Sequence, residues 1–74
     1  MIGDAVSVCP GVALGGNVKV EDRVWLGIGS SVIEKITIAR DVYVGAGSVI
    51  INDITEEGAL YFGVPARRRI KDVQ

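Results

Sequence analysis

No histidine occurs among the 74 residues, and Cys9 is the single cysteine. Without histidine the chain cannot supply a Ser-His or Cys-His catalytic pair, and no metal site is expected. One thiol closes no internal disulfide, which fits a reducing, cytoplasmic setting. Net charge is nearly absent as well. Eight Lys and Arg against nine Asp and Glu leave -1, whereas a general nucleic-acid binder carries an excess of positive charge. No apolar run approaches the roughly 20 residues of a membrane span. The start, Met1-Ile2-Gly3-Asp4, has neither the basic nor the apolar region of a secretory leader. What is plentiful is hydrophobic residue, 49% of the chain, which excludes disorder. A chain this short makes one small domain and buries only about 60% of its unfolded surface.

Valine, isoleucine and glycine dominate and only a few aromatics occur, a mix that suits strands joined by tight turns. A period of six runs through the sequence. Ile2, Val8, Leu14, Val20, Leu26, Val32, Ile38, Val44 and Ile50 are all aliphatic. A second column lies four residues after each: Val6, Val12, Val18, Val24, Ser30, Ile36, Val42, Ser48 and Ile54. The residue after the first column is often small (Gly3, Cys9, Gly15, Gly27, Ala39, Gly45). Turn pairs such as Pro10-Gly11, Gly16-Asn17, Asp22-Arg23, Ile28-Gly29 and Ala46-Gly47 fall between the columns. A small antiparallel sandwich or barrel would need longer strands and connections of variable length. Unbroken phasing without an insertion points instead to an all-β, single-stranded parallel β-helix.

The hexads resemble the hexapeptide repeat of left-handed β-helix acyltransferases, in which three hexads form one triangular coil. The resemblance rests on Ile2-Gly3-Asp4, Pro10-Gly11, Gly16-Asn17-Val18, Leu26-Gly27-Ile28-Gly29-Ser30 and Val44-Gly45-Ala46-Gly47-Ser48. The tail Gly63-Val64-Pro65-Ala66-Arg67 is similar to the C-terminal signature of the acetyl-CoA-dependent members. The nearest likeness is to the C-terminal portion of sialic-acid O-acetyltransferases and bacterial amino-sugar N-acetyltransferases. It implies three coils, residues 2–19, 20–37 and 38–55, in a β-helix of residues 1–55. Residues 56–74 then form a capping tail that folds back beside the last coil.

If residues 18 apart stack, each outer face becomes a set of columns. The first face carries Ser7, Trp25 and Tyr43, continued by Tyr61 if the phase holds. The second carries Ala13, Ser31 and Val49 beside Gly15, Ile33 and Ile51, an apolar surface that needs a partner. The family's homotrimer would cover it. The third carries Met1, Lys19, Thr37 and Thr55 beside Gly3, Glu21 and Ala39, and suits solvent.

For the site, the resemblance implies acetyl-CoA bound along a corner of the prism, by Gly16, Gly27, Ile28, Gly29, Gly45, Ala46, Gly47, Pro65 and Arg67. A thin, amide-bearing pantetheine arm needs close access to backbone, and the glycines flanking Ile28 and Ala46 offer it. Arg67-Arg68-Arg69 could meet the coenzyme phosphates or be a plain basic terminus that runs on through Ile70 and Lys71. Family members carry a base histidine a few residues before the stretch matching Ile2-Gly3-Asp4, beyond the start of this sequence. A second family histidine corresponds to Ser7, which has no partner to activate it. No residue of the chain is therefore expected to be catalytic, and Cys9 reads as filler at a small site. The expected function is acetyl transfer to a sugar or amino sugar, with the chain supplying the coenzyme-binding part. The rival is a non-catalytic trimeric structural or interaction module. A gamma-carbonic-anhydrase-like protein is disfavoured, since its three zinc-binding histidines are missing.

Overall fold

The period of six becomes geometry in the computed structural model, which describes residues 1–69. Eight two-residue strands follow one another at hexad spacing: β1 (Ser7–Val8), β2 (Ala13–Leu14), β3 (Lys19–Val20), β4 (Trp25–Leu26), β5 (Ser31–Val32), β6 (Thr37–Ile38), β7 (Tyr43–Val44) and β8 (Val49–Ile50). Two longer strands end the described chain, β9 (Leu60–Gly63) and β10 (Ala66–Arg69). Strands three apart pair in parallel: β1 with β4 and β4 with β7, β2 with β5 and β5 with β8, β3 with β6. The register sets Ser7 against Trp25, Ala13 against Ser31 and Lys19 against Thr37, each 18 residues apart. This is the parallel β-helix, and no helix long and apolar enough to cross a membrane is present among the described residues.

Through Gly47 each corner is made by a pair of turn residues, and the second of the pair is left-handed. Ala5, Gly11, Asn17, Arg23, Gly29, Lys35, Asp41 and Gly47 have φ between 57° and 78°. Five of these eight are Gly, Asn or Asp, which reach this region cheaply. Ala5, Arg23 and Lys35 are held there by the stack. The left-handed residue donates its N–H to the first corner residue of the preceding coil, as Arg23 does to Asp4 (2.9 Å), Gly29 to Pro10 (3.0 Å) and Lys35 to Gly16 (2.8 Å).

Because successive strand residues point to opposite faces, the aliphatic columns fill the prism. Leu26, Ile38 and Val44 are fully buried, joined by Val18, Val20, Val24, Val32, Ile36, Val42, Ile50 and Ile54. In the first coil the same column is open, with Ile2 46%, Val8 50% and Leu14 37% exposed. The core therefore sits in the second and third coils.

After Ile50 the spacing shortens, and two expectations fail. Ile38 bridges Ile54, 16 residues on, so Thr55 does not stack on Thr37. At the first face β9 pairs in parallel with β7, setting Tyr43 against Leu60 and Val44 against Tyr61. Tyr61 thus takes the position of an interior residue, half-buried against the core, rather than extending the outer aromatic column. The missing residues in this last turn shift the alternation by one, which sends every following side chain to the other face. The column is real one rung lower, where the Trp25 and Tyr43 rings stack with centroids 5.8 Å apart.

The tail folds back as an antiparallel hairpin, β10 on β9, around a bend with a cis Val64–Pro65 bond. It extends the first face to the order β1-β4-β7-β9-β10 and covers the upper edge of β7. The end of the basic tail, Ile70 and Lys71, lies outside the described residues.

Candidate functional site

The corner between the first and second faces gathers most of the residues expected to hold a coenzyme. Gly27, Ile28 and Gly29 turn from β4 to β5, and Gly45, Ala46 and Gly47 turn from β7 to β8 directly above them. The two turns are locked together by Gly47 N–H donating to the Ile28 carbonyl at 2.8 Å. Gly16 is not with them. It lies at the corner between the second and third faces, since it follows β2.

The glycines at this corner have two different causes. A Cβ on Gly27 would stand 2.6 Å from Ala46 N and 2.8 Å from the Val44 oxygen, so close stacking of coils demands glycine there. A Cβ on Gly45 would meet the Phe62 Cβ at 2.7 Å, so the tail demands the second. At Gly29 and Gly47 nothing lies within 4 Å of an added Cβ, and both have φ of 70°. Their bareness leaves an open strip beside Ile28, which is 61% exposed.

Along that strip, the first corner residues Ile28 and Ala46 donate their N–H groups to no acceptor among the described residues. The corner between the third and first faces is different. There the equivalent amide of Asp4 bonds the Asp22 carboxylate (2.8 Å) and that of Arg40 bonds Glu21 (3.2 Å). That corner is also tied by Arg23 to Asp41 at 2.8 Å, which holds the Arg23 guanidinium above even the usual arginine range. One corner is tied by its own side chains, whereas at the Ile28–Ala46 corner, as at Gly16 and Glu34 on the remaining corner, no side chain accepts from these amides among the described residues.

The hairpin closes over the open corner. Gly45 N–H donates to the Tyr61 carbonyl (2.8 Å), and Gly63 N–H donates to Ser48 Oγ (3.2 Å). Pro65 lies in the bend, and Arg67 is exposed on β10 opposite Phe62. Of the neighbouring cations, Arg68 pairs with Glu56 at 2.7 Å and Arg69 lies over the Phe62 ring at 5.1 Å. Both have partners within the tail, which leaves Arg67 as the best placed of the three for an outside anion.

Ser7 lies exposed on β1 in register with Trp25, and Cys9 is half-buried two residues further on. No cluster of potential metal ligands occurs among the described residues. A cavity of about 240 Å³ opens elsewhere, on the third face, lined by Met1, Lys19, Glu21, Asp22 and Arg40. It is opposite the bare corner and is lined by mixed charges, of which Asp22 and Glu21 accept the backbone N–H groups of Asp4 and Arg40 and Arg40 pairs with Glu57. Sequence reasoning passed over two residues of this region, Ser48 and Phe62. The signal for the first was present, because Ser30 and Ser48 alone interrupt an aliphatic column.

Residues 17–52 match the family model described as bacterial transferase hexapeptide (six repeats). A search of curated proteins gave no significant match. Among solved structures, PerB from Caulobacter crescentus, in complex with CoA and GDP-perosamine, is 39% identical with a TM-score of 0.83, covering 92% of this chain and 32% of that one. The acetyltransferase domain of PglB from Neisseria gonorrhoeae is 33% identical with a TM-score of 0.83, covering 86% and 31%. Serine acetyltransferase from Neisseria gonorrhoeae, in complex with serine, is 33% identical with a TM-score of 0.80, covering 89% and 30%. The chain thus spans about a third of the length of the proteins it matches. The matches cover most of this chain, and they fix the hand of the coil. The chain is a hexapeptide-repeat protein of the bacterial transferase type, folded as a left-handed β-helix.

Proposed function

We propose that the chain is the coenzyme-binding β-helix of an acetyl-CoA-dependent acyltransferase acting on a sugar or amino sugar. Residues 1–55 are its coils and 56–74 its capping tail. The observation that carries the reading is the bare corner at Ile28 and Ala46, where Gly29 and Gly47 leave open space and two amides one coil apart donate to no acceptor among the described residues. A pantetheine arm bears amides of its own and suits a strip kept clear of side chains. The coenzyme supplies the activated acyl thioester. Gly27, Gly29, Gly45 and Gly47 keep the strip clear, Ile28 and Ala46 bind through the backbone, and Pro65 walls the upper end. Arg67 faces the phosphates, and Gly16 belongs to the corresponding corner of the next face, which a neighbouring subunit of a homotrimer would bring near. Support for the coenzyme comes from PerB and a serine acetyltransferase, both described in complex with CoA. The acceptor class follows PerB, whose complex holds GDP-perosamine. A cytoplasmic setting suits such a coenzyme.

Acyl transfer also needs a base to take the proton of the attacking amine or hydroxyl. The chain contains no histidine, and the family resemblance sets Ser7 at a position where members carry one. On this reading no residue of this chain supplies the base. This chain alone should therefore bind coenzyme A, measured by calorimetry, while its acetyl transfer stays undetectable. A residual rate should lie at least about 100- to 10,000-fold below that of a complete enzyme. Robust turnover with a sugar acceptor would contradict the placement of the base. Absent binding would favour the non-catalytic trimeric module, the reading that the missing histidine otherwise supports.

A further inference from the structure

We propose that Ser48 is a positioning residue for the coenzyme groove: its buried hydroxyl sets where the tail bends across the corner. The inference rests on the reading of that corner as the coenzyme site. Ser48 is fully buried in a column whose other members, Ser30 apart, are Val or Ile. Burial alone would favour an aliphatic residue there. Ser30, one coil below, turns its hydroxyl back on its own corner and donates to the Gly27 carbonyl at 2.8 Å. Ser48 has the same backbone setting and a different use, because above it lies the tail and not another coil. Its Oγ accepts the Gly63 N–H at 3.2 Å.

The position of that bond gives it leverage. Tyr43 and Gly45 hold the preceding tail residues by hydrogen bonds to the Ala59 and Tyr61 carbonyls. Beyond Gly63, no hydrogen bond joins the described tail to the coils. The Ser48 bond is thus the last tie before the bend at Val64 and Pro65. Gly63 has φ of 115°, a conformation open to glycine, so the chain leaves this tie in a direction that other residues would not take. Val64, next in line, is 74% exposed above the corner. Where the tie is made decides how far the bend stands from Ala46, and so the width of the groove.

The test uses two variants of nearly equal volume, Ser48→Thr and Ser48→Val, in the full chain. Both are β-branched, like the residues that fill the rest of the column, and only threonine keeps the hydroxyl. Threonine should preserve wild-type behaviour. In the valine variant the Gly63 amide should exchange with solvent about tenfold faster, while the Gly45 amide stays protected. Its affinity for coenzyme A, by calorimetry, should fall about five- to tenfold, the effect of one net hydrogen bond. Equal Gly63 exchange in the two variants overturns the tie. Unequal exchange with equal affinity overturns its role at the groove. A wild-type chain that binds no coenzyme A refutes the coenzyme reading and this role with it, and the exchange difference then bears on the tie alone.

Discussion

Lysine at a left-handed corner is the clearest local conflict in the chain. Lys35 has φ of 62° and is exposed, so its side chain gains little from burial there. An L-residue in this region costs about 1–2 kcal/mol, and glycine escapes that cost while losing part of it to greater freedom when unfolded. Lys35→Gly should stabilise the chain by roughly 0.5–1 kcal/mol in urea denaturation. Arg23 has the same conformation but also pairs with Asp41, so Lys35 isolates the backbone effect. A destabilised Lys35→Gly variant would mean that the corners are not strained. Read as sequence, Asn17 and Gly29 already mark their corners, because their residue types prefer turns. Lys35 and Ala5 do not, and only the phase of the repeat assigns them.

At the scale of a coil, the same residue type does different work depending on what lies above and below it. Leu14 and Leu26 share the first aliphatic column, yet Leu14 is 37% exposed and Leu26 is fully buried. Leu26→Ala should cost about 2–5 kcal/mol, enough to unfold much of so small a domain, and Leu14→Ala less than half as much. Equal losses in denaturant midpoint would show that the first coil contributes as much core as the second. The columns themselves are legible from the sequence, since aliphatic side chains must point inward at every sixth residue for the prism to fill. The tail is less so. Tyr61 lies 18 residues from Tyr43, but two residues are lost between Ile50 and Ile54 and the turn through Glu56 and Gly58 restores only one, so Leu60 takes the outer place. Nothing in residue type forecasts that loss. The Ser48 tie escapes for a related reason, because Ser30 and Ser48 read alike until the neighbour above each is known.

For the whole molecule, the exposed second face is the surface on which the proposed homotrimer would rest. Ile33 and Ile51 stack one above the other at 44% and 42% exposure, beside half-buried Val49. On a chain with so little core, leaving this stripe in water is a poor use of apolar surface. Ile33→Glu with Ile51→Glu should convert a trimer to monomer in sedimentation, since it would bury unpaired charge between subunits. An unchanged trimer would move the interface to another face. The stripe was readable from the sequence, as was the bare corner; the difference in how the three corners are closed was not, because it depends on Asp22 and Glu21 reaching amides in adjoining coils.

The central claim is that the Ile28–Ala46 corner binds coenzyme A, and calorimetry of two blocked corners tests it most directly. Gly47→Leu fills the strip but also strains a left-handed backbone, so Ala46→Trp, at an exposed position with φ outside that region, is the cleaner block. Wild type should bind coenzyme A, and both variants should lose measurable binding while sedimenting as the wild type does. Wild-type affinity in Ala46→Trp would contradict the account and put the coenzyme elsewhere.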